Sequence, residues 1–160
     1  MSVKPAPRLA SYFDKKLSIS LQVPEGWSVA AHPQFDLLIL APAERGYRSN
    51  LGFSQVAVDD LTPESLRAII ARTKAEQQAD YANFQQLEER DFWLDGRPAY
   101  LQRYQWQPEG GQRFSQLLAA VAVSPQALLE IHGATLQPLA PRYLPLLLEI
   151  LGSLRFIPRE

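Results

Sequence analysis

Few side chains in this chain are suited to chemistry. Two histidines occur, His32 beside Pro33 in a loop and His132 on an apolar strand, and neither has a second ligand or a nucleophile at a useful spacing. His132 therefore reads as a histidine satisfied within a sheet. The acidic run Glu88, Glu89 and Asp91 is more suggestive, because strand alternation puts Glu89 and Asp91 on one face, together with Tyr100 and Tyr104 of the next strand. A carboxylate and a tyrosine in an apolar cup could transfer a proton. The catalytic alternative is thus a small-molecule or lipid-binding enzyme using Glu89 or Asp91 with Tyr100. A solvated strand end beside a turn explains the same acids without chemistry, and is the preferred reading. Asp59 and Asp60 read as the acidic lead-in to a helix N-terminus. Gly110 and Gly111 lack a following helix and lysine, so they form a turn rather than a phosphate cradle. No catalytic residue, metal ligand or cofactor is expected.

Composition narrows the field further. The 160 residues suit one domain, expected over residues 11–160 behind a flexible tail of residues 1–10. Cysteine is absent, which excludes disulfides, thiolate metal sites and cysteine nucleophiles. A formal net charge of −1 with interspersed signs supplies no field for a phosphate backbone, so nucleic acid is not an expected partner. The N-terminal MSVKPAPRLASYFDKK has neither an apolar core nor a small-residue cleavage pattern, and the expected location is cytoplasmic.

The elements that would position these residues follow from periodicity. Leu17, Ile19, Leu21 and Val23 alternate with polar residues as a strand, Pro24 to Gly26 turn the chain, and Trp27 follows as an anchor. Asp36 to Ala41 and Ser49 to Val58 read as two further strands. Thr62 followed by Pro63 and Glu64 starts a helix running to about Asp80, with Leu66, Ile69, Ile70 and Thr73 as its apolar stripe and Lys74 among the residues facing water. Asp95 and Gly96 form a two-residue hairpin turn, and turns at Pro108 to Gly111 and Ser124 to Gln126 complete a four-stranded meander. The hairpin places Leu94 opposite Arg97, Phe92 opposite Ala99, Arg90 opposite Leu101, and Glu88 opposite Arg103 as an ion pair. A leucine-rich helix from Pro141 to Gly152 closes the chain, apolar on most of its circumference, with Pro145 expected to bend it or delay its start. It is far too short to span a membrane.

On the second meander strand Tyr100, Gln102, Tyr104 and Trp106 share a face, which is either packed under a helix or offered to a partner. The strand ending in VPEGW at Pro24 to Trp27, the stretch SNLGFSQV, the segment DGRPAYLQRYQW with Gly96 to Ala99, the EGG turn and the closing GSLRF resemble the Mog/PsbP-like superfamily from about Tyr12 to Phe156. That resemblance implies an α+β fold with an antiparallel sheet of about six to seven strands sandwiched between helices. It also implies a mostly non-enzymatic group: extrinsic photosystem II proteins, Ran-binding Mog proteins, bacterial lipoproteins and cytoplasmic Eag chaperones that shield membrane segments of secreted effectors. Tyr104 to Gly110 resembles the Eag branch. The function so implied is a non-catalytic protein-binding, adaptor or chaperone-like protein that receives a partner segment on the face of Tyr100, Gln102, Tyr104 and Trp106. A homodimer is a second arrangement, an interface on the terminal helix a third, and a photosystem II accessory protein the alternative if a leader has been removed.

Overall fold

The structure, a computed structural model, describes residues 7–158. The element order is β1 (Leu9–Asp14), β2 (Ile19–Pro24), β3 (Ser28–His32), β4 (Phe35–Leu40), β5 (Asn50–Ala57), α1 (Pro63–Asp80), β6 (Gln85–Leu94), β7 (Arg97–Trp106), β8 (Phe114–Ser124), β9 (Ala127–Leu136), α2 (Ala140–Gly152) and β10 (Arg155–Phe156). A seven-stranded sheet in the order β3-β4-β5-β9-β8-β7-β6 forms the body, and β1-β2-β10 forms a second, small sheet. All pairings are antiparallel.

The expected architecture, an antiparallel sheet of about six to seven strands between helices, is present with seven strands in the large sheet, and the meander has the derived register. Leu94 faces Arg97, Phe92 faces Ala99, Arg90 faces Leu101 and Glu88 faces Arg103. Asp95 and Gly96 adopt the positive φ values of 48° and 76° that a tight hairpin turn requires, which asparagine, aspartate and glycine tolerate best. The Glu88 to Arg103 ion pair forms at 3.1 Å.

Several expectations are corrected. The single sheet expected is joined by a second: the strand of Ile19 to Val23 pairs with β1 and β10 in the small sheet. Strand β1 begins at Leu9, inside the segment expected as a tail, since Leu9 and Ala10 pair with Pro24 and Val23 and the Arg8 carbonyl accepts from the Glu25 amide at 2.7 Å. Residues 1–6 of that segment lie outside the described residues. His32 ends β3 instead of lying in a loop. Pro145 does not delay α2, which starts at Ala140; it lies inside the helix at its sixth position, on the exposed side, where it leaves the Pro141 carbonyl without its helical N–H donor.

Packing on the two faces of the large sheet is unequal. On one face, Leu37, Ile39, Leu51, Phe53, Leu101, Leu117, Ala119, Leu129 and Ile131 meet Leu144, Leu147, Ile150 and Leu151 of α2 and Ile19, Leu21 and Val23 of the small sheet in a single apolar core. Ser153, just past α2, ties the small sheet to it: its hydroxyl donates to the Ile150 carbonyl at 2.6 Å and accepts from the Gln22 amide at 2.8 Å. On the other face lies α1, started by a capping box in which the Ser65 amide donates to Thr62 Oγ1 and the Thr62 amide donates to Ser65 Oγ. The apolar stripe of α1 is as expected, yet Leu66, Ile69 and Ile70 are only half-buried, and the one buried side chain of the helix is the polar Gln77. Helix α2 is therefore held by hydrophobic burial and α1 largely by polar contacts.

Candidate functional site

The polar contacts under α1 form a continuous ladder. Gln77 Nε2 donates to Gln102 Oε1 at 2.9 Å, and Gln102 Nε2 donates to Gln86 Oε1 at 2.9 Å. Gln86 reaches on to Glu89 at 3.4 Å. Glu89 also receives the Lys74 ammonium on both oxygens, at 3.0 and 2.9 Å, and the Tyr100 hydroxyl at 2.8 Å. Lys74, expected to face water, is thus turned onto the sheet. Among the described residues, Gln77 Oε1 is buried and without a hydrogen-bond partner.

This arrangement settles where the aromatic strand face lies. Gln102 is fully buried, and Tyr100 and Tyr104 are 5% and 3% exposed. Tyr81, which ends α1, stacks on Trp106 with centroids 4.5 Å apart and lies over Tyr104 at 5.9 Å. Trp106 also stacks on Phe114 at 5.5 Å, and its Nε1 is buried without a partner among the described residues. The four residues expected to receive a partner are brought together, but beneath α1 and Tyr81 instead of on an open face. The physical reason is ordinary: an aromatic sheet face needs cover, and α1 supplies it.

What remains open is the cleft between α1 and the outer strands. Its volume is about 630 Å³, and its lining includes Pro63, Leu66, Ile70, Phe92, Trp93, Pro98 and Tyr100, with Arg67, Lys74, Glu89 and Asp91 as the charged members. Of the predicted site residues, Tyr100 alone lines this cleft; the acids Glu89 and Asp91 line it too. Sequence reasoning missed Trp93, which is 72% exposed and stands on the strand face opposite Pro98. The signal was available: Trp93 follows Glu89 and Asp91 at strand spacing, so a large apolar ring shares a face with two carboxylates.

The acid–base chemistry of this cleft is quiet. Hydrogen bonds from Lys74 and then Tyr100 hold the Glu89 carboxyl below its ordinary range. Burial, then the bond to Glu89, pushes the Tyr100 hydroxyl above the ordinary tyrosine value. A base made more acidic beside an acid made more basic keeps its proton arrangement through neutral pH, the reverse of the tuning that proton transfer needs.

On the other side of α1, a cleft of about 480 Å³ includes Phe35, Asn50, Tyr81, Tyr104, Glu130 and His132. Phe35 lies between the two histidines, its centroid 5.6 Å from His32 and 6.1 Å from His132, and its ring sits directly over Gly52. His132 Nε2 stands 3.6 Å from Glu130 Oε2. Among the described residues, no group of three or more His, Asp and Glu side chains is placed to hold a metal ion, and no helix is long and apolar enough to cross a membrane.

No family model and no curated protein matches the chain. Solved structures do. LpqN of Mycobacterium tuberculosis, described as involved in cell envelope biogenesis, has a TM-score of 0.72 at 13% identity, covering 94% of this chain and 91% of that one. The cyanobacterial PsbP (CyanoP) of Synechocystis sp. PCC 6803 has a TM-score of 0.63 at 14% identity, covering 98% of this chain and 96% of that one. The Ran-binding protein Mog1p of Saccharomyces cerevisiae has a TM-score of 0.62 at 10% identity, covering 95% and 97%. Those likenesses, the seven-stranded antiparallel sheet and the helix on each of its faces make one statement: the chain has the Mog/PsbP-like fold.

Proposed function

We propose that this chain is a non-catalytic protein-binding protein, adaptor or chaperone-like in kind, which receives a partner segment in the cleft between α1 and β6–β7. The observation that carries this reading is Trp93, a tryptophan 72% exposed at the rim of a cleft lined by Pro63, Leu66, Ile70, Phe92 and Pro98. Large aromatic rings left in water beside an apolar groove are the residues that anchor protein interfaces. Covering the open part of that ring would contribute roughly 4 kcal/mol before the entropic cost of association. Mog1p, of the same fold, is named for binding another protein, Ran. The proton arrangement of Glu89 and Tyr100 supports binding over catalysis.

The test is affinity capture from the native host with the wild-type chain and with Trp93→Ala. The exposed position makes the variant fold normally, which its melting temperature checks. A partner recovered by the wild type and lost from the folded variant is expected. Recovery of the same proteins by both would overturn the proposal.

A further inference from the structure

The cleft is bounded on its outer side by β6, which ends the large sheet and, among the described residues, has no neighbour beyond it. The hairpin decides which of its backbone groups are free. In a two-residue turn the flanking residues, here Leu94 and Arg97, form a hydrogen-bonded pair. Antiparallel alternation then directs the N–H and C=O groups of Leu94, Phe92, Arg90 and Glu88 toward β7, and those of Trp93, Asp91 and Glu89 out to the open edge. The same three residues face Pro98, Tyr100 and Gln102, so their side chains fall on the α1 face and line the cleft. A free strand edge and an apolar cleft are thus served by one set of residues.

Charge along that edge is selective. Glu88 is neutralised by Arg90 at 2.8 Å and Arg103 at 3.1 Å, and Glu89 by Lys74 at 2.9 Å. Asp91 is exposed and, among the described residues, makes no ion pair. An edge with one uncompensated carboxylate repels acidic strands and accepts one that brings a cation to that position.

Resting on the cleft reading above, we infer that the partner segment binds as an extended strand added antiparallel to β6, with an apolar residue opposite Trp93 and, two residues later in the segment, a lysine or arginine opposite Asp91. Main-chain bonds from Glu89, Asp91 and Trp93 hold the strand, and the cleft and the carboxylate choose its side chains.

The experiment uses the full chain and three synthetic probes. The first is an acetylated nine-residue strand of alternating threonine and valine, with a lysine two residues after the central valine. The second has glutamate in place of that lysine. The third is the first carrying N-methyl groups on the amides that would face β6. The difference in tryptophan emission between the wild type and Trp93→Phe isolates Trp93 from Trp27 and Trp106, and hydrogen exchange reports on the β6 amides. The lysine probe is expected to shift emission to the blue and to slow exchange at Glu89, Asp91 and Trp93 by about tenfold or more. The glutamate probe is expected to bind about fivefold or more weakly, with Asp91→Lys reversing that preference. Equal binding of the N-methylated probe, or an emission shift without protection of those amides, would overturn strand addition while leaving the cleft reading in place. No response to any probe would overturn the inference, and capture with Trp93→Ala would then judge the cleft reading by itself. The same amides protected without peptide, with a mass that rises with concentration, would assign the edge to a second copy and also overturn it.

Discussion

Replacing Gln102 by leucine should destabilise this protein although it puts an apolar residue into a buried position. Gln102 is fully buried and Gln77 is 6% exposed, and the 2.9 Å bond between them is the one hydrogen bond of the Gln77 carboxamide, whose Oε1 is already unpaired. Gln102→Leu strands the Gln77 amide completely, whereas Gln86, being exposed, turns to water. A buried donor left without an acceptor costs about 2 kcal/mol, and at this chain length that lowers the melting temperature by roughly 4 to 8 °C. Gln77→Leu behaves differently, for it removes one orphaned oxygen and creates another at Gln102, and should stay within about 1 kcal/mol of wild type. The double variant has neither orphan, gives α1 a buried apolar side chain, and should return to wild-type stability or exceed it. Urea and thermal unfolding of the four proteins would give a coupling of about 2 kcal/mol between the two positions. Hydrogen exchange in α1 reads the same loss locally, as faster opening in Gln102→Leu than in the double variant. Unchanged melting of Gln102→Leu, or a double variant as unstable as the sum of the singles, would refute the claim that this ladder docks α1.

Three further outcomes follow from the same packing. Leu147→Ala, at a fully buried position of α2, should cost about 2 to 5 kcal/mol in urea unfolding, while Ile70→Ala on half-buried α1 should cost less than about 1.5; equal costs would contradict the asymmetry of the two faces. Gly52→Ala would place its Cβ 2.5 Å from the Phe35 ring and should cost about 1 to 3 kcal/mol, with a melting temperature equal to wild type as the contrary result. Burial holds the hydroxyls of Tyr100 and Tyr104 protonated above the ordinary tyrosine range, so the unfolded chain releases these protons first as pH rises. Stability is then complete below about pH 10 and declines above it, and a urea midpoint that is flat from about pH 9 to pH 11 would contradict this.

Much of the scaffold could be read from local pattern. The register of β6 on β7 followed from Asp95 and Gly96, because a two-residue turn leaves no freedom in the pairing behind it. Thr62 and Pro63 marked the start of α1 for an equally local reason. The small sheet was not legible, since β1 has weak alternation and β10 has two residues, and both are strands only because β2 lies between them. Tyr100, Gln102, Tyr104 and Trp106 were placed on one face correctly, but whether that face meets water depends on a helix whose docking is polar. No hydropathy pattern announces a glutamine ladder between α1, β6 and β7, because each glutamine alone looks like a surface residue. Trp93 was overlooked for the complementary reason: a tryptophan on a strand is expected to be covered, yet this one stands 72% exposed on β6, the strand that ends the large sheet.

The central claim is that the Trp93 cleft is where a partner protein binds. Its most direct test is photocrosslinking in the native host, with benzoylphenylalanine placed at Trp93 and, in a separate variant, at Phe13, which is 52% exposed on the small sheet. A protein adduct formed from position 93 and none from position 13 is the expected result. Adducts from position 13 with none from position 93 would contradict it.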